Sequence, residues 1–207
     1  MNPDASRYRV PVTTFIGWEA DRATGLEGVR LLHGPRGWRA LGRMVRIGPG
    51  AAFSASYRLT VGADGCVVRL AITSATGDRE RHLTLNRTED GFWLLDTGTG
   101  GRRAEFDGAV DVDVSFSPLF NTLPVRRLGL HTGFGDHLVK VVFVALPELD
   151  VEVVEQHYRT VTPLTHGRAV VAFSADGFEA DLELDEDGLV TSYPGIAHRV
   201  PALATSA

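Results

Sequence analysis

Five Asp-Gly pairs punctuate the chain, at Asp64-Gly65, Asp90-Gly91, Asp107-Gly108, Asp176-Gly177 and Asp187-Gly188. Such a pair supplies the positive φ that a tight hairpin turn requires, and between alternating apolar residues it is a strong short-range hairpin signal. The flanks do alternate. In "FEADLELD" the side chains of Phe178, Ala180, Leu182 and Leu184 fall on one face, and those of Glu179, Asp181, Glu183 and Asp185 on the other. Comparable runs, "SYRLTV" and "CVVRLAIT", then "RHLTLNR" and "FWLLD", bracket the first two pairs. "HLVKVVFVAL" and "RAVVAFS" have the Val and Phe density of buried strands. The expected fold class is therefore all-β, a long antiparallel meander. So many strands cannot stay a flat open sheet, because twist accumulates and free edges invite aggregation; the sheet must close, fold into two layers or roll up. Each outcome creates a concave face of the kind that takes apolar ligands.

Two stretches resist a simple reading. "LPELDVEVVEQHYRTV" alternates at Val151 and Val153 but also places Leu149, Val153, Val154 and Tyr158 near helical spacing; its β-branched residues favour a strand, with room for a short helix after Pro147. "DTGTGGRRAE" reads as a loop. No Pro- or Ser-rich linker divides the chain, so residues 1–207 are expected to form a single domain, with a disordered tail at 202–207. A net charge of -5 argues against a nucleic-acid partner, which would need a basic face. Cys66 is the only cysteine, so an intrachain disulfide and a Cys-rich zinc site are excluded. The first residues lack the apolar run of a secretory signal, and no window approaches the ~20 apolar residues of a membrane-spanning helix. A cytoplasmic protein with no stable membrane insertion is the expectation.

Chemistry leaves few marks. The seven histidines show no His-x-x-x-His spacing, no serine sits in Gly-x-Ser-x-Gly, and "GTGGRR" lacks the phosphate-loop pattern. No metal and no cofactor is expected, and Cys66 reads as a buried structural thiol. The richest segment is "DVDVSFSPLFNTLPVRRLGL". There Asp111 and Asp113 share one face of a strand with Ser115 and Ser117. Arg126 or Arg127, on a following strand after a corner from Asn121 to Pro124, can reach back to one aspartate in a bidentate bridge. Polar-ligand binding at this segment is the second reading, and catalysis by the carboxylate pair the third. Trp93 reads as core. Trp18 and Trp38 stand beside glycines at strand ends, where an exposed ring could stack on a sugar.

This segment resembles a bacterial family labelled "Putative glycolipid-binding", whose members share Asp-Val-Asp, a Thr/Ser-Pro, Asn-Thr-Leu-Pro and Arg-Arg-Leu in that order. The likeness extends to Trp18 with Glu19, "DGFW", Gln156 followed by Tyr158, and "DGLVTSYPGI" near the end. The chain departs at Phe120, where the family more often has a polar or small residue. The resemblance implies a spiral β-roll and non-catalytic binding, as carrier or sensor, of a glycolipid or similar amphiphilic small molecule. The rolled strands would supply an apolar trough. Trp18, Trp38, Asp111, Asp113, Asn121, Arg126, Arg127 and Tyr158 are the candidate polar and aromatic contacts. The alternatives are a carbohydrate-active or other hydrolase using Asp111 and Asp113, and a structural or interaction protein. The sequence does not decide the oligomeric state.

Overall fold

The computed structural model describes residues 12–48 and 51–201, so the tail at 202–207 lies outside the described residues. The strands are β1 (Val12–Ala20), β2 (Thr24–Gly34), β3 (Gly37–Gly48), β4 (Ala51–Val61), β5 (Val67–Ala75), β6 (Glu80–Arg87), β7 (Trp93–Asp96), β8 (Gly101–Ala104) and β9 (Asp111–Val114). After helix α1 (Pro118–Arg127) come β10 (Asp136–Ala145), β11 (Asp150–Thr165), β12 (Arg168–Ala175), β13 (Phe178–Leu184), β14 (Val190–Tyr193) and β15 (Ala197–Arg199). All fifteen strands form one sheet. Its order runs from β8 down to β1, across to β15, and down again to β9. The two ends of the described chain thus meet in the middle of the sheet, where Trp18 pairs with Arg199.

The Asp-Gly glycines all have positive φ, as the turn reading requires. Asp176-Gly177 closes a two-residue hairpin with both φ positive, between the paired residues Ala175 and Phe178. Asp107-Gly108 differs: it lies in a short 3-10 turn ahead of β9, which pairs with β10 and not with β8. His166-Gly167, with φ of 53° and 80°, makes a further two-residue hairpin that an Asp-Gly search misses. Within "DTGTGGRRAE" only the first part is a turn, since Gly101–Ala104 forms β8 at the sheet edge. Residues after Pro147 turn without a helix, straight into the long strand β11.

The largest departure from the expected meander is α1. It replaces the expected arginine strand, and its crossover lets β9 and β10 pair in parallel, the one parallel pair among the described residues. Pro118 at the first helical position has the fixed φ that suits a helix start, and Arg126 and Arg127 in the last turn complement the helix dipole. Every residue from Pro118 to Val125 is buried, so the sheet wraps the helix rather than packing one face of it. Val67 N–H donates to Val110 O at 3.0 Å, tying the entry to β9 against β5. One apolar cluster accordingly mixes Leu59, Leu70 and Trp93 with Val112, Leu119, Phe120 and Val144. A second joins Val125 and Leu130 to Tyr158, Val171, Phe173 and Leu182. The open sheet is rolled around its only described α-helix.

Candidate functional site

The connection from β9 to α1 positions the site. Phe116 adopts φ 71°, an uncommon conformation for a bulky residue, and the chain turns sharply into the helix. Ser117 stands at the N-cap but makes no side-chain capping bond; its Oγ donates instead to Glu27 Oε1 at 2.6 Å. Beside this turn lies a cavity of about 250 Å³. Strand register explains its lining. Asp113 on β9, Phe143 on β10 and Glu152 on β11 are successive partners in one row, so their side chains share a face. Glu152, Val154 and Gln156 are alternate residues of β11 and follow the same face inward. Phe173, Phe178 and Tyr193 complete an aromatic wall, with ring centroids 5.8 to 6.4 Å apart.

One end of the cavity is polar. Gln156 Nε2 donates to Asp113 Oδ2 at 2.6 Å, Tyr158 OH donates to Gln156 Oε1 at 2.9 Å, and Asn121 Nδ2 donates to Tyr158 OH at 3.0 Å. Burial pushes the Asp113 carboxyl up to about 6, against the opposing pull of the Gln156 amide and the Val114 N–H. Tyr193 has its hydroxyl pushed upward by burial and by the Asp113 charge nearby. A carboxyl whose pKa burial raises to about 6, a side-chain amide and an aromatic wall thus meet in one concavity. This combination suits a ligand with hydroxyl groups on one side and C–H faces on the other.

The sequence-derived candidates separate in space. Asp113 and Asn121 line the cavity, and Tyr158 sits one hydrogen bond behind it. Asp111 does not line it. Its carboxylate is fully buried and receives Arg127 Nη2 at 2.6 Å and Nε at 3.2 and 3.3 Å. The bidentate bridge is as expected, although the arginine comes from the end of α1 and not from a strand. Desolvation still holds the Asp111 pKa above its ordinary value, and Arg127 opposes that rise. Arg126 bridges neither aspartate; its Nε donates to Asp187 O at 2.6 Å, and its guanidinium lies 5.6 Å from the Trp38 ring centre. Trp38 is half-buried against the core, away from the cavity lining.

Trp18 is no sugar platform: it is 1% exposed, and its Nε1 donates to Val190 O at 2.9 Å. Trp93 is core, as read, with its Nε1 donating to Ala109 O at 2.9 Å. Phe120 is buried with its ring 5.2 Å from Tyr57, so this departure from the family pattern fills core. Cys66 is half-buried in the turn between β4 and β5, not fully buried as expected. Sequence reasoning missed Gln156 as a cavity residue, along with the aromatic wall. One signal was available: Gln156 and Tyr158 occupy alternate positions of β11 on its buried side, where a polar residue needs a partner.

A second buried acid was missed entirely. Glu27, on β2, accepts Tyr57 OH at 2.5 Å and Ser117 Oγ at 2.6 Å on one oxygen, while Oε2 has no partner among the described residues. Burial pushes its pKa up to about 7. It anchors the start of α1 to β2 and β4, next to the cavity turn. Among the described residues no group of three or more His, Cys, Asp and Glu is placed to hold a metal ion, and no helix is long and apolar enough to cross a membrane.

Comparison with known proteins agrees with this architecture. No curated protein matches the chain in sequence. A crystal structure of a DUF1089 family protein from Pseudomonas aeruginosa is similar, with TM-score 0.69 and 25% identity over 97% of this chain and 99% of that one. Residues 15–199 match the family described as "Putative glycolipid-binding", and with so much of its length matched the chain belongs to that family.

Proposed function

We propose that the protein binds, as a carrier or sensor, a glycolipid-like amphiphile whose sugar ring enters the cavity beside Asp113. The observation that carries this reading is the polar chain Asn121–Tyr158–Gln156–Asp113 opening into an aromatic-walled concavity. The family description supports the ligand class. At about 250 Å³ the cavity falls below the ~300–1,000 Å³ usual for whole drug-sized ligands. It therefore takes one ring or a short apolar segment, and the remainder of the amphiphile stays at the mouth. Phe173, Phe178 and Tyr193 receive the C–H face of the ring, and Asp113 with Gln156 receives its hydroxyls. A hydrolase built on Asp111 and Asp113 loses its second carboxylate, because Asp111 is sealed against Arg127 outside the cavity.

Titration calorimetry with n-octyl β-glucoside below its micellar concentration tests the proposal. Saturable binding is expected, weakened ~10–100-fold in Asp113→Ala, as for loss of a charge-assisted hydrogen bond. Affinity should also fall as pH drops through about 6, where Asp113 gains its proton. No saturable binding to the wild type, or equal binding by the variant, would refute it.

A further inference from the structure

The outer face of the N-terminal half carries a charge pattern that the cavity does not explain. Register places three adjacent rows of outward residues across β1 to β6. These are Gly17–Gly28–Arg43–Ser56–Thr73–His82, then Phe15–Arg30–Leu41–Arg58–Ala71–Thr84, then Thr13–Leu32–Arg39–Thr60–Arg69–Asn86. The rows contain five exposed arginines and no carboxylate. Arg69 donates to Asn86 Oδ1 at 2.8 Å, and none of the five is paired with an acid among the described residues. In a chain of net charge -5 this is a sorted distribution, since the strand period sends these arginines to one side of the sheet. The next row, Glu19–Leu26–Val45–Ser54–Ala75–Glu80, has its two acids only at its ends, each beside a histidine.

The same face exposes large apolar side chains. Phe15 is 75% exposed and lies over Gly28, Leu26 and Val45 are neighbours across β2 and β3, and Ile47 follows two residues on. Arginines set among exposed aliphatic and aromatic groups match a surface that is anionic and apolar beneath. We propose that this face docks the protein on an anionic lipid bilayer, through Arg30, Arg39, Arg43 and Arg58, with Phe15, Leu26, Val45 and Ile47 entering the interface. The occupant follows from charge complementarity together with the apolar insertions, which a nucleic-acid backbone would leave unused. Docking rests on residues outside the cavity and stands or falls separately from ligand binding there.

Vesicle co-flotation of the full chain tests it, using phosphatidylcholine vesicles with and without 30% phosphatidylglycerol. Wild type should float with the anionic vesicles at low salt, release at 0.5 M NaCl, and ignore pure phosphatidylcholine. Each interfacial arginine contributes about fivefold in affinity, so Arg30→Ser/Arg43→Ser/Arg58→Ser should bind on the order of a hundredfold more weakly. These side chains are exposed, and an unchanged melting temperature will show that the variant folds. Val45→Ser should weaken flotation while leaving the salt dependence intact. Absence of flotation with anionic vesicles, equal flotation by the triple arginine variant, or capture of duplex DNA in preference to vesicles would overturn the proposal.

Discussion

Replacing Arg127 with methionine should destabilise this protein far more than loss of a surface ion pair. Asp111 has a side-chain exposure of 0% and Arg127 of 20%, and three N–H···O contacts join them. Methionine keeps the apolar stem but leaves a carboxylate sealed between β9 and α1 with no cation. Breaking a buried pair in this way costs about 3–5 kcal/mol, against about 0–1 kcal/mol for an exposed pair. For a chain of this length that corresponds to a fall in Tm on the order of 10 °C. The variant should also become less stable as pH rises. Its folded-state Asp111 pKa moves further above the unfolded value, so stability present below about pH 4 is lost as pH climbs through the folded pKa. Asp111→Asn/Arg127→Met should recover much of the loss, because no charge is then buried. Urea denaturation of the wild type, both single variants and the double variant closes the cycle. A cost below about 1 kcal/mol for Arg127→Met, or strictly additive losses in the double variant, would refute the assignment of this pair as a sealed structural bridge.

Glu27 provides a second pH test with the same sign. Its folded pKa of about 7 lies above the ordinary 4.5, so its contribution is fully present below about pH 4.5 and lost as pH rises through 7. Glu27→Gln preserves an acceptor for Tyr57 and Ser117, and should be more stable than wild type at pH 8.5 by up to about 3 kcal/mol, with the difference vanishing near pH 4 in denaturation curves. Gly42→Ala should cost about 1–3 kcal/mol or more by thermal melting. Its new Cβ would meet the Tyr57 ring at 2.0 to 2.3 Å, and that ring is buried and tethered to Glu27.

The all-β class was legible because one-sided strands announce themselves by period two, and because Asp-Gly turns supply their own backbone chemistry. Where that reading failed, the same two signals were silent or pointed the wrong way. The helix α1 is buried on all sides from Pro118 to Val125, so it lacks the polar stripe by which a helix is recognised, and Pro124 within it argued for a corner. Asp107-Gly108 looks like a hairpin turn but introduces β9, whose partner β10 lies beyond the helix. In the site, a bidentate bridge from Arg126 or Arg127 to one aspartate was legible, and the structure makes it Arg127 to Asp111. The division of labour between Asp111 and Asp113 did not, because it depends on which carboxylate faces Arg127 and which faces Gln156 across β10. Net charge likewise concealed the arginine face, since a sum over the chain erases what strand alternation sorts to one side.

The cavity assignment is tested most directly by side-chain NMR of the Asp113 carboxyl and the Phe173, Phe178 and Tyr193 rings during titration with n-octyl β-glucoside. Saturable shifts of all four groups with one dissociation constant are expected. The Asp113 pKa should also fall from about 6, as ligand hydroxyls donate to its carboxylate. Shifts confined to residues outside the cavity, or an Asp113 titration unmoved at saturation, would contradict ligand binding there.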